Sequence, residues 1–177
     1  MASPGTSVTA AVADRPSHVP SVLTWHVDPA ASKGELSTRH WLWGWRSVPL
    51  SVSAGRLLRD VDGLRKLELT MQFAIRDGDT LEAVFSSGKF EREHNGRFVV
   101  SGRLSMQGTT EDAELLLHNL GRGSSSTGNE RWFATIAGRL PLSAASQRVW
   151  NRLLTGPHLS VYAHTEWLPS AAGSSSA

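Results

Sequence analysis

The chain has 177 residues, 40% hydrophobic and 19% charged, which fits one globular domain with a sizeable core and excludes a disordered or fibrous protein. Lys and Arg number 18 against 16 Asp and Glu, giving a formal charge of +2 with the two signs interleaved, so no cationic stripe matches nucleic-acid phosphates. With no cysteine, disulfides, thiolate metal sites and thiol nucleophiles are all excluded.

Residues 1–20, MASPGTSVTAAVADRPSHVP, lack the basic and apolar regions of a secretory signal, and their Ser, Thr, Ala and Pro content predicts a disordered tail. The same material in residues 169–177 predicts a second tail, leaving a domain over 21–168. No run of about 18 apolar residues is present, and the cytoplasm is the expected compartment.

Within the domain the dominant pattern is alternation, the period of a strand with one buried face. VLTWHV offers Leu23, Trp25 and Val27, and in ASKGELSTRH the residues Leu36, Thr38 and His40 share a phase. RHWLWGWRSV then places Trp41, Trp43 and Trp45 at every second position. Extended, they point opposite His40 and Leu42. Turned helically, Trp41 and Trp45 align at i, i+4, and packing against Trp150 and an exposed patch are two readings of the stripe.

LRKLELTMQFAIR sets Leu67, Leu69, Met71, Phe73 and Ile75 on one face, and RFVVSGRLSM does the same with Phe98, Val100, Gly102, Leu104 and Met106, broken only by Val99. EDAELLLHNL contributes Ala113, Leu115 and Leu117. ERWFATIAGRL contributes Trp132, Ala134, Ile136 and Leu140. Helical spacing of Val149, Trp150, Leu153 and Leu154 predicts one short helix between Ser143 and Leu154, ended by Gly156. HLSVYAHTEW closes the series with Leu159, Val161, Ala163 and Trp167. Turn pairs such as Asp62-Gly63, Asp77-Gly78 and Asn95-Gly96 separate the runs, so the pattern implies an antiparallel sandwich or barrel.

Local catalytic motifs are weak. GSSSTGNE has the glycines of a phosphate loop but Asn129-Glu130 where Lys and Ser or Thr must follow. The seven histidines show no metal-binding pair, with His158 and His164 about 20 Å apart along one strand at roughly 3.3 Å per residue. No G-x-S-x-G elbow is present, and carboxylate pairs such as Asp60 and Asp62 flank turns.

Three segments resemble the YceI-like family of lipocalin-like barrels that bind isoprenoid lipids. ASKGELSTRH is similar to the opening strand with its terminal His. GRLSMQGTTEDAELLL resembles the G-x-L-T-x-x-G-x-T hairpin and following strand, through Gly102, Leu104, Ser105, Gly108, Thr110 and Ala113. RWFATIAGRLPLS resembles the late strand, with Leu140-Pro141 at the family's Arg-Ser turn. Only Arg76-Asp77 matches the family's R-D-x-H-L lid, which is shortened or absent here.

The resemblance implies an all-β antiparallel lipocalin-like barrel of about eight strands with one short helix, non-enzymatic and without cofactor or metal. Its interior would hold an isoprenoid or other elongated lipid. The implied ligand-binding residues are Leu36, His40, Trp41 and Trp45 at and near the mouth, with Leu69, Phe73, Phe98, Val100, Leu104, Leu115 and Ile136 on the wall. Through the resemblance alone, a helical turn in which Trp41 and Trp45 cover the barrel mouth becomes the preferred reading of the tryptophan stripe. His40, flanked by Arg39 and Arg46, would either meet a polar head group or fix the mouth by bonding a loop carbonyl. Sequence leaves open a filled barrel acting through its surface, as a homodimer or in a complex, because eight strands enclose either side chains or one small ligand. An enzyme using His40 is the third reading.

Overall fold

The computed structural model describes residues 22–40, 44–60, 63–74, 80–124, 128–140 and 159–170. They form nine strands: β1 (Leu23–Val27), β2 (Lys33–His40), β3 (Gly44–Asp60), β4 (Gly63–Ala74), β5 (Thr80–Arg92), β6 (Phe98–Met106), β7 (Thr109–Ser124), β8 (Glu130–Leu140) and β9 (Leu159–Pro169). The fold is all-β, as expected. The helix predicted between Ser143 and Leu154 and most of both expected tails lie outside the described residues, while β9 continues through Pro169. Among the described residues no helix is long and apolar enough to cross a membrane.

Every pairing is antiparallel, and the sheet closes when β4 pairs back onto β3. Nine strands give an eight-place barrel because β1 and β2 share one place. Both lie between β3 and β9, β1 against Arg56–Arg59 and Trp167–Pro169, β2 against Gly44–Ser51 and Leu159–His164. Closure removes the exposed edge that an open sheet would present.

The break between β1 and β2 is held by local and distant bonds, since unpaired backbone groups in a wall are costly. Asp28 Oδ1 accepts the Ala30 N–H at 3.1 Å, while the Asp28 N–H donates to the Glu166 carbonyl at 2.7 Å. Ser32 Oγ accepts the Glu166 N–H at 3.1 Å, replacing the missing ladder partner. Arg131 Nη1 then ties the break to β9, reaching Asp28 at 3.2 Å and Glu166 at 2.6 Å.

Alternation determines the inside. The buried apolar cluster draws on all nine strands, and none of its members is more than 7% exposed. Phe73, Phe85, Leu36 and Trp167 are fully buried, so side chains take the axial space. Trp167 keeps its indole N–H satisfied there by donating to Thr165 Oγ1 at 2.9 Å, and that hydroxyl donates to the Ala134 carbonyl at 3.0 Å. A bulge at Ser53, whose hydroxyl donates to the Thr70 carbonyl, keeps Gly55 and Leu57 in the inward phase after Leu50 and Val52.

The packing makes Gly102 irreplaceable. A Cβ there would collide with the Ser86 carbonyl oxygen and come within 2.8 Å of the Phe85 ring, and the backbone of the neighbouring strand cannot yield. Gly102→Ala is expected to lower stability by about 1–3 kcal/mol in urea denaturation. Gly88→Ala, whose nearest neighbour would be the Ser101 carbonyl at 3.8 Å, is expected to stay within about 0.5 kcal/mol. Equal losses would contradict close packing at this wall.

Candidate ligand-binding recess

At the barrel end formed by the β3–β4 and β5–β6 turns, three bulges shift which residues face inward. Each lets two residues on one strand oppose one on its partner, which re-aims everything beyond it. Arg65 is skipped between Lys66 and Leu64, so Leu64 comes opposite Arg59. Gly88 is skipped between Ser87 and Lys89, which turns Phe90 opposite Val100 and Arg92 opposite Phe98. Asn119 and Leu120 interrupt the register between His118 and Gly121, bringing Arg122 opposite Trp132. The aliphatic interior therefore gives way to arginines and aromatic rings over a few residues.

These side chains bound a recess of about 600 Å³. Leu64, Phe90, Phe98, Leu120 and Trp132 supply its apolar lining, and Arg59, Arg65 and Arg92 its charged lining. Leu64, Phe90, Phe98 and Leu120 are half-buried and pack on the core below, so they form the layer between dry interior and open end. The guanidinium of Arg59 lies 4.9 Å from the Trp132 ring centroid, with Arg122 at 5.2 Å from the same ring, and Arg92 sits 6.0 Å from the Phe98 centroid. Such contacts hold a cation beside apolar surface at about 0.5–2 kcal/mol each. Trp132 also stacks on Trp25, with centroids 5.2 Å apart. The buried indole Nε1 of each has no acceptor among the described residues.

The residues expected from sequence fall into three groups. Leu36, Leu69, Phe73, Val100, Leu104, Leu115 and Ile136 come together inside the barrel, where they pack against one another. Phe98 lines the recess. His40 and Trp45 belong to the opposite end, where β2 turns into β3. The His40 backbone pairs with Gly44 at that turn, and Trp41 lies outside the described residues. Trp45 corrects one expectation: it does not join a helical turn over a mouth but pairs with Arg39 on the outer face of β3, 69% exposed. Ladder pairing satisfies the backbone through Gly44 and so imposes the extended phase. Sequence reasoning missed Arg59, Leu64, Phe90 and Arg92. The available signal was the isolated Gly88 within the alternating run TLEAVFSSGKF, a pattern that marks a bulge.

No protein-family model matches the chain, and no curated protein does. Among solved structures, the crystal structure of BcnA from Burkholderia cenocepacia is similar at 13% identity, covering 79% of this chain and 98% of BcnA with a TM-score of 0.48.

Phe73 and Phe98 share the inward phase but differ in what lies beyond the ring. Phe73→Ala is expected to cost about 3–5 kcal/mol as a fully packed core residue, whereas Phe98→Ala, with the recess on one side, is expected to cost about half as much or less. Parallel chemical denaturation of the two variants checks this, and equal losses would mean that Phe98 is core rather than lining.

Proposed function

We propose that this protein is a non-enzymatic, YceI-like barrel that binds the apolar body of a small molecule in the arginine-lined recess rather than along the barrel axis. The supporting observation is an open, partly aromatic recess of about 600 Å³ set directly over a core whose members are at most 7% exposed. That volume falls within the range of roughly 300–1,000 Å³ typical of ligand pockets. The polar side chains among its described lining are guanidiniums, fixed forks of N–H donors suited to holding a ligand.

An isoprenoid or other lipid is the ligand class the family resemblance implies. A tail threaded along the axis would have to displace fully buried side chains such as Phe73 and Phe85, whereas the recess takes an apolar body without displacing them. A second reading, a filled barrel acting through its surface as a homodimer or in a complex, draws on the exposure of Trp45. Sedimentation velocity tests it, since self-association lost in Trp45→Ser would support that surface.

Calorimetric titration with a neutral alkanol series from butanol to hexadecanol tests the main reading. Affinity is expected to rise by about 0.8 kcal/mol per added CH₂ among the shorter members and to level off once the recess is full. An unbroken rise to hexadecanol would put the chain along the axis, and no binding by any member would remove the small-molecule function.

A further inference from the structure

Resting on the recess as the ligand site, we infer that it selects ligands with an oxyanion head, a carboxylate or a phosphate, gripped by Arg59 and Arg92 while the apolar body lies against Phe98 and Trp132. Of the three arginines in the lining, Arg65 is already paired with Asp60. Arg59 and Arg92 have no carboxylate partner among the described residues. Their strand positions converge by construction, because the bulge at Gly88 turns Arg92 inward and the bulge at Arg65 sets Leu64 beside an inward Arg59.

Like charges without carboxylate partners around one recess repel each other, and a bound anion relieves that repulsion. A guanidinium over an aromatic face keeps in-plane N–H donors for an acceptor, and the planar fork matches carboxylate and phosphate oxygens. Arg122, on the same Trp132 ring as Arg59, is 3.7 Å from Glu130, which leaves Arg59 and Arg92 as the lining arginines without a carboxylate partner among the described residues. The same end therefore offers an apolar surface and an anion grip, the complement of an anionic amphiphile.

Titration calorimetry with decanoate, decyl phosphate and decanol, three heads on one tail, tests the inference. Both anions are expected to bind about tenfold or more tighter than decanol at low ionic strength, an advantage that added salt reduces. Arg59→Gln and Arg92→Gln are each expected to narrow the anion-to-alcohol ratio severalfold to tenfold, and Arg97→Gln, in the exposed β5–β6 turn, to preserve it. Tighter binding of decyl phosphate than decanoate assigns a phosphate head, and the reverse assigns a carboxylate. Decanol binding as well as the anions would overturn the head-group inference while leaving the recess as the site. An anion preference untouched by both arginine variants would also overturn it, and no binding of any of the three would remove the recess itself.

Discussion

A strand has two faces and a closed barrel has one inside, so every inserted residue exchanges the inward set for the outward set beyond it. This single constraint organises the molecule. In β3 the extra residue Ser53 restores the apolar phase, carrying Gly55 and Leu57 inward where uninterrupted alternation would have presented Ala54 and Arg56. At the opposite end of several strands the same device does the reverse, ending the aliphatic interior and presenting Arg92 opposite Phe98 and Arg122 opposite Trp132, while Arg59 continues the inward phase of Leu57. Core and recess are thus two products of one rule, differing only in which residue follows the insertion.

The gradient from one to the other is also energetic. Deep in the barrel the polar atoms are few and satisfied, as in the relay from Trp167 through Thr165 to the Ala134 carbonyl. At the recess, cations are held beside rings rather than buried among them, which avoids the desolvation cost of an interior charge. Between the two lies the Trp25–Trp132 stack, whose indole donors have no acceptor among the described residues. A buried donor without an acceptor costs about 1–3 kcal/mol, a burden consistent with a place where the native structure stops being optimised for packing alone.

The barrel wall was legible where alternation ran unbroken. Leu67 to Phe73 in β4 and Leu159 to Trp167 in β9 face inward as their sequences say, and Phe98 to Met106 keep their phase through β6. The recess was not legible, because a rule of period two is blind to an inserted residue and carries the wrong set forward past Gly88 and Asn119. The shared place of β1 and β2 was equally hidden. It depends on Ser32 meeting Glu166 across 134 residues and on Arg131 meeting Asp28 across 103, partners that no local window contains. At RHWLWGWRSV the spacing allowed strand or helix, and the choice at Trp45 came from pairing with β2 rather than from the run itself.

Occupancy of the recess rather than the axis can be read from the tryptophans, since Trp132 lines the recess, Trp25 packs against Trp132 and Trp167 is fully buried in the core. In ¹H–¹⁵N spectra of the indole groups, assigned by single Trp→Phe substitutions, titration with decanoate is expected to move the Trp132 signal most, with Trp25 following it, and Trp167, the cross-strand partner of Trp132, least. Movement of Trp167 with Trp132 unchanged would place the ligand inside the barrel and contradict a filled interior with a binding end.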